Sequence, residues 1–180
     1  MESLKRGDED AFELLVERHQ YAVVGTVAKM LGSAADAEDI AQMVFLRVWK
    51  SADRYSPTAK FTTWLMTITR NLVFNELRRH HRHPNVSLDA PSNERDSLHD
   101  RVDSSTPAAD QVLLEEELQG EIDRGIASLP EKARLAIILR RYQEMSYEEI
   151  AEVLQTSVPA VKSLLFRARA DLKTLLAKYL

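Results

Sequence analysis

Apolar residues recur along most of the chain at intervals of three and four positions, which is the spacing of an amphipathic helix. In one such segment they are Ile40, Val44 and Val48, with Phe45 and Trp49 beside them. No segment alternates apolar and polar residues as a half-buried strand does. The pattern therefore predicts an all-α protein, with helices from Ala11 to Leu31, from Ser33 or Asp36 to about Ala52, from Thr62 or Thr63 to about His81, from Gln111 to about Leu129, from Pro130 onward, and in two short C-terminal segments.

Residues that favour helix ends support several of these boundaries. Gly32 and Ser33 are expected to end the first long helix, because glycine tolerates the left-handed conformation found there. Ser33 or Asp36 is expected to cap the second helix, and Thr62 or Thr63 the third, since their side-chain oxygens can accept from free backbone N–H groups.

The stretch from Ser146 to Lys173 predicts two short helices joined by a tight turn. Ser146 and Glu149 have the spacing of a capping box, and Ser157 can cap the second helix with Pro159 in its first turn. The second helix is basic beside its apolar stripe, as in a helix-turn-helix whose second helix enters the DNA major groove. The alternative is an ordinary helical hairpin on the surface. The residues beside the stripe are Lys162, Ser163, Phe166, Arg167 and Arg169.

Charge is segregated along the chain, although the net charge is only −4. Residues 54–83 contain six basic and one acidic residue, residues 84–123 contain two and eleven, and residues 157–180 contain five and one. Two basic zones separated by an acidic one suggest two contact regions for a polyanion. Residues 84–110 are rich in Pro, Ser, Asn and Asp and lack helical periodicity, so they are interpreted as a flexible acidic linker between two small helical domains.

The helix predicted to end near His81 has a polar face between two apolar patches. Trp64 is interpreted as part of a buried stripe, whereas the polar face combines hydroxyl groups, an amide, two guanidinium groups and one aromatic ring. Single-stranded nucleic acid is bound by such a combination, because cations contact phosphates and rings stack on bases. The residues of this face are Thr63, Thr67, Arg70, Asn71, Phe74 and Arg78.

Several kinds of site and segment are not expected. Residues 78–83 form a basic, histidine-rich cluster, but without cysteines or acidic residues at ligand spacing, contact with phosphate or solvent is favoured over metal binding. No nucleophile–base pair or Gly-rich phosphate loop is present, so neither catalysis nor a cofactor is expected. The absence of cysteine fits a reducing cytoplasm. The charged first ten residues are unlike a signal peptide, and no run of about 18 apolar residues predicts a membrane span.

Three segments together resemble the extracytoplasmic-function (group IV) sigma factors of bacterial RNA polymerase, in the sigma-70 family. They are DAEDIAQMVFLRVWK at 36–50, FTTWLMTITRNLVFNELRR at 61–79, and LPEKARLAIILRRYQEMSYEEIAEVLQ with AVKSLLFRAR within 129–169. They occur in the order and spacing of that family. The resemblance implies a sigma-two domain at 1–83, a linker at 84–110 and a sigma-four domain at 111–180. It implies a transcription initiation factor that binds the polymerase core and directs it to specific promoters.

The resemblance also implies roles for particular segments. Residues 36–50 match the segment that docks on the clamp of the largest polymerase subunit, through Asp39, Gln42 and Arg47. The linker matches the piece that threads toward the RNA exit path. The recognition-helix positions that match those reading the minus-35 element are Lys162, Ser163, Phe166 and Arg167. The residues expected to read and open the minus-10 element are Arg54, Lys60, Thr63, Thr67, Arg70, Asn71, Phe74 and Arg78.

The expected partners are the polymerase core, at its largest-subunit clamp and its flap, promoter DNA and an anti-sigma factor. We expect a bacterial cytoplasmic protein, nucleoid-associated when bound to polymerase, with no membrane insertion. A stand-alone helix-turn-helix regulator with an N-terminal ligand or dimerisation domain is the alternative, but it would not need segments 36–50 and 61–79. A nucleic-acid-processing enzyme would need site residues that the sequence lacks.

The chain departs from the family pattern within the helix-turn-helix. Gln155 stands where a turn glycine is usual, and a non-glycine residue enters the left-handed region only with strain. Pro159 and Ala160 replace a usual Gly-Thr, and Leu164 replaces a common arginine. These departures bear on the minus-35 preference.

Overall fold

The computed structural model describes residues 1–56, 59–82 and 108–179, apart from the side chains of residues 108–116 and Lys178. No strand occurs in these ranges, which confirms the all-α prediction. The described residues include two short 3-10 helices, at Ala52–Arg54 and Ala177–Tyr179. The α-helices are α1 at Glu2–Lys5, α2 at Glu9–Leu31, α3 at Ala34–Lys50, α4 at Phe61–Arg82, α5 at Ala108–Ser128, α6 at Glu131–Arg141, α7 at Tyr147–Leu154 and α8 at Val158–Leu175.

The N-terminal half is a bundle of α2, α3 and α4, with α1 packed against it through the buried Leu4. Val27, Val44 and Leu65 are completely shielded from solvent at its centre. The two apolar patches predicted for α4 both join this core. Thr69 lies between the two patches, and its hydroxyl donates to the Leu65 carbonyl. Satisfying the hydroxyl inside the helix removes the cost of burying it.

Local capping explains most helix ends. Asp8 accepts from the Ala11 N–H at 3.0 Å, so α2 begins two residues earlier than predicted. Gly32 ends α2 in the left-handed conformation, and Ser33 caps α3, as expected. The predicted cap at Thr62 or Thr63 is wrong, because α4 begins at Phe61 and includes both threonines. The Phe61 ring packs 5.1 Å from His19, which anchors the start of α4 in the bundle.

The C-terminal half is built from α6, α7 and α8, with α5 packed against α6 and α8. Ile138, Ile150 and Leu165 form its buried centre. The predicted capping box of α7 is present, and Ser157 accepts from the Ala160 N–H at the start of α8. The helix-turn-helix geometry therefore follows from local sequence signals. Linker residues 84–107 lie outside the described residues, and α5 begins within the segment assigned to the linker.

The turn between α7 and α8 contains a strained residue. Gln155 has φ 52° and ψ 54°, the left-handed conformation that glycine adopts without a steric penalty. We expect Gln155→Gly to raise the free energy of unfolding by about 0.5–1 kcal/mol. The substitution removes about 1–2 kcal/mol of backbone strain, and the greater conformational entropy of glycine in the unfolded chain offsets part of this gain. Thermal denaturation should show a melting temperature higher by about 1–4 °C.

The matched control is Gln155→Ala, which removes the same side chain but keeps the Cβ that causes the strain. The alanine variant should melt at or below the wild-type temperature. Equal stabilisation by alanine and glycine would contradict backbone strain as the cause.

Candidate nucleic-acid and polymerase interfaces

The second helix of the helix-turn-helix presents one polar, exposed face. Lys162, Ser163, Phe166 and Arg167 are all exposed, with Phe166 at 75% relative accessibility. At about 100° per residue they occupy an arc of roughly 140°. The opposite side of α8 carries the buried Val161, Leu165 and Ala168. An exposed aromatic ring flanked by two cations is a surface suited to contact with DNA rather than with this chain's own core.

The polar face of α4 is only partly accessible. Asn71 and Arg78 are exposed and Phe74 is half-buried, whereas Thr63 has only 1% of its surface exposed. The Thr67 hydroxyl donates to the Thr63 carbonyl at 2.9 Å, so this hydroxyl is already hydrogen-bonded within the helix. Trp64 lies half-buried, with its ring 5.1 Å from that of Tyr55.

A cleft of about 300 Å³ opens on this face. The Arg70 guanidinium carbon lies 6.0 Å from the centre of the Phe74 ring, and burial lowers the pKa of Arg70. Among the described residues, nothing accepts a hydrogen bond from Arg70 Nε or Nη2, although both atoms are shielded from solvent. Arg78 instead donates to the Phe74 carbonyl and the Asn75 side chain. The cleft is lined by Arg70, Asn71, Phe74, Asn75, Arg78 and Glu131.

The loop before α4 brings a lysine against the C-terminal half. Lys60 Nζ lies 2.9 Å from Glu149 Oε1, while Glu149 Oε2 accepts from the Ser146 N–H at 2.7 Å. The Ser146 backbone N–H, and then Lys60, hold the pKa of Glu149 below its usual range. Arg54 is exposed at the start of the same loop, of which Pro57 and Thr58 lie outside the described residues.

A third face lies on α3. Asp39, Gln42 and Arg47 are exposed, and within the described residues their side chains have no hydrogen-bond or ion-pair partner. Sequence reasoning missed two apolar residues on this face, Met43 and Leu46, which are 44% and 55% exposed. Their positions in the helical period place them beside Asp39 and Gln42, and exposed apolar residues next to polar ones are typical of protein interfaces.

The histidine-rich end of α4 lies against acidic side chains. Glu76 accepts from Arg79 and lies 2.7 Å from His80 Nε2, and these partners keep the pKa of Glu76 low despite its partial burial. His81 lies 3.7 Å from Glu131. In the described part of the chain no group of three or more His, Asp or Glu side chains could hold a metal ion. His83 lies outside the described residues.

Two family models match the two halves of the chain. Residues 15–83 match sigma-70 region 2, and residues 119–172 match sigma-70 region 4. The RNA polymerase sigma-H factor of Pseudomonas aeruginosa is 33% identical over 171 residues, which cover 94% of this chain and 88% of the relative. The ECF RNA polymerase sigma-E factor of Escherichia coli is 35% identical over 175 residues, with the same coverage. The chain belongs to the extracytoplasmic-function sigma factors.

Solved structures agree with this sigma-factor fold. CnrH, solved in complex with the cytosolic domain of CnrY, matches 97% of the chain with a TM-score of 0.69 and 25% identity. The sigma factor RpoE of Bartonella quintana, solved with the anti-sigma factor NepR, matches 93% with a TM-score of 0.70 and 22% identity. Members of the family are transcription initiation factors rather than enzymes, and this sigma factor gives RNA polymerase its promoter specificity. None of the helices in the described ranges has the length and hydropathy needed to cross a bilayer.

Proposed function

We propose that three faces of this sigma factor make separate contacts during transcription initiation. The α8 face, comprising Lys162, Ser163, Phe166 and Arg167, reads the minus-35 element. The α3 face docks on the clamp of the polymerase core, and the region-four domain contacts the flap. The observation that carries the proposal is the exposed α8 face, because four side chains suited to base and phosphate contact point away from the core that the same helix buries. The residues proposed to hold the opened minus-10 strand are Arg54, Lys60, Thr63, Thr67, Arg70, Asn71, Phe74 and Arg78.

The proposal also covers domain limits and partners. Region two would occupy residues 1–83 and region four residues 111–180, and α5 leads into region four from Ala108. Because a relative of the same fold was solved with an anti-sigma factor, we include such a factor among the partners of this chain. A cytoplasmic location, with nucleoid association in the polymerase-bound state, follows from this role.

Arg167→Ala tests minus-35 reading. A bidentate contact from arginine to a base is worth about 1–3 kcal/mol of discrimination, so its loss should relax selectivity at one or two upstream base pairs by about 5- to 100-fold. Holoenzyme binding to a panel of promoters, each mutated at one minus-35 position, measures this selectivity.

The matched variant is Arg167→Lys, which keeps the charge but loses the planar pair of donors. If Arg167 contacts only phosphate, both variants should retain the wild-type order of preference across the panel, with alanine weakening all promoters alike and lowering the salt dependence. That outcome would contradict base reading.

A further inference from the structure

One histidine lies on the core-facing side of α2. His19 follows Val16 by three residues and precedes Val23 by four, which continues the apolar spacing of this helix. Its ring is half-buried, and in the described part of the chain it makes no hydrogen bond or ion pair. An aliphatic side chain would fill this position at lower cost, because a half-buried imidazole loses part of its hydration. The contact that distinguishes His19 is with an aromatic ring.

His19 belongs to a cluster of four half-buried rings. The centre of its ring lies 5.1 Å from that of Phe61, the first residue of α4. The Phe61 ring lies 6.2 Å from Tyr55 and 5.9 Å from Trp64, and the last two rings are 5.1 Å apart. Aromatic rings attract one another at these separations in tilted and edge-to-face arrangements. These four residues form the ring cluster, in which His19 is the member that α2 supplies.

The ring cluster joins the two ends of the loop before α4. Tyr55 follows the 3-10 helix Ala52–Arg54 and Phe61 begins α4, so the contact between their rings connects the start of the loop to its end. The Tyr55 N–H donates to a carbonyl of the 3-10 helix, and the Lys60 carbonyl accepts from two N–H groups in the first turn of α4. Arg54 and Lys60, which are both proposed to contact the opened strand, therefore lie next to the residues that the cluster holds.

We propose that His19 is a positioning residue for minus-10 opening, because it holds Phe61 and thereby fixes where Arg54 and Lys60 meet the opened strand. This inference rests on the proposed role of α4 and its loop in strand binding. In this role His19 contacts Phe61 and not the DNA. A group that is displaced by about 1 Å can slow a reaction about a hundredfold, so a ring outside the binding surface can affect the rate of opening.

The contact favours the neutral form of His19. Burial, and then Arg18 beside it in α2, lower the pKa of His19. From α4 the ring is faced by the uncharged Phe61, whereas Lys60, the neighbour of Phe61 in sequence, pairs with Glu149 of α7. In the described ranges of α1, α3, α5 and α6, which also border α2 or its neighbours, no charged side chain acts on His19.

This lowered pKa gives the contact a pH dependence of known sign. A histidine that is harder to protonate in the folded chain stabilises the fold while it is neutral, and the stabilisation is lost as pH falls through the unfolded value of about 6.5. Mildly acidic pH should therefore loosen the end of the loop at Phe61 and slow minus-10 opening.

Two substitutions separate the ring of His19 from its bulk and its proton. His19→Leu keeps apolar bulk without a ring, so the chain should melt at or above the wild-type temperature while minus-10 opening slows by about 2- to 10-fold, the effect of one aromatic contact. His19→Phe keeps a ring that cannot be protonated, so it should restore the wild-type rate at pH 8. If His19 only filled the core, leucine would open promoters as fast as wild type.

The matched control is Phe12→Leu. It also removes one half-buried ring from α2, but the partner of that ring is Trp49 on α3, at 5.0 Å. Opening is followed in holoenzyme at saturating sigma factor with a fluorescent base analogue in the minus-10 element. Phe12→Leu should open at the wild-type rate. Across a pH series the wild-type rate should show an inflection below about pH 6.5 that His19→Phe lacks.

A second measurement needs neither DNA nor polymerase. The chain contains two tryptophans, so Trp49→Phe leaves Trp64 of the ring cluster as the only one. In this background His19→Leu should shift the emission of Trp64 to longer wavelength, because a looser cluster admits water. Acidification should produce the same shift in the chain that retains His19 and no shift with His19→Phe. Phe12→Leu should leave the emission unchanged.

The outcomes separate this inference from the proposed function. Wild-type opening by His19→Leu, or unchanged Trp64 emission in that variant, would overturn the positioning role of His19. If Asn71→Ala combined with Arg78→Ala slows opening while His19→Leu does not, this inference alone fails. If that double variant opens promoters normally although Trp64 responds as expected, the proposed strand-binding role of α4 is wrong, and the positioning role that rests on it fails with it.

Discussion

Alanine at both Asp39 and Gln42 should weaken binding of the sigma factor to polymerase core by about 10- to 100-fold, or roughly 1.4–2.8 kcal/mol. Both side chains are exposed on α3 and have no partner within the described residues, so their removal should cost the isolated chain little stability. In a docked complex they would be placed beside Met43 and Leu46, where polar groups are partly desolvated and a lost hydrogen bond costs more.

The measurement is the equilibrium affinity of purified core for labelled sigma factor. Glu13→Ala with Glu17→Ala is the matched control, since these exposed residues lie on α2 instead of α3. Circular dichroism should show wild-type helicity in both variants. Wild-type affinity of the Asp39 and Gln42 variant would exclude this face of α3 as the docking site.

The second large effect is expected in promoter opening. Asn71→Ala combined with Arg78→Ala should slow minus-10 opening by about 10- to 100-fold, because each hydrogen bond to an unpaired base and each phosphate contact offsets part of the cost of unpairing. These two residues are exposed on α4, so their substitution should weaken DNA contact without destabilising the fold. Lys60 is a less clear target, since its substitution would remove both a phosphate contact and the Glu149 ion pair.

The rate of minus-10 opening by the holoenzyme is measured with a fluorescent base analogue in the minus-10 element, which brightens as it unstacks. Arg79→Ala is the control, because it removes one cation from the same end of α4 but from a side about 100° away, where Arg79 pairs with Glu76. Binding to the minus-35 element should be unchanged in every variant. Opening at the wild-type rate in the Asn71 and Arg78 variant would place strand capture on another surface.

The helix-turn-helix was predictable because its determinants are local. Ser146, Glu149 and Ser157 lie within one turn of the helices that they cap, and the period of the apolar residues fixes which side of α8 is exposed. The strain at Gln155 was also foreseeable, since the turn requires a left-handed residue whatever the side chain. The polar face of α4 followed from the same periodicity.

Features that depend on distant contacts were not predictable. The start of α4 was placed wrongly because Phe61 is held by His19 and Tyr55, and no capping rule contains that information. The ion pair between Lys60 and Glu149 requires the two domains to meet, and periodicity within one helix does not indicate such a contact. The exposed Met43 and Leu46 were assigned no role because isolated apolar residues on a surface are common.

The double use of Glu149 constrains how this sigma factor can evolve. One carboxylate oxygen caps α7 and the other holds Lys60, so a mutation that removes the interdomain contact also removes a helix cap worth about 1 kcal/mol. Selection for a stable helix-turn-helix therefore retains an acceptor for Lys60 even where the interdomain contact itself is not under selection. Glutamine preserves the cap and loses the charge, so it would weaken the contact with Lys60 while leaving the start of α7 intact.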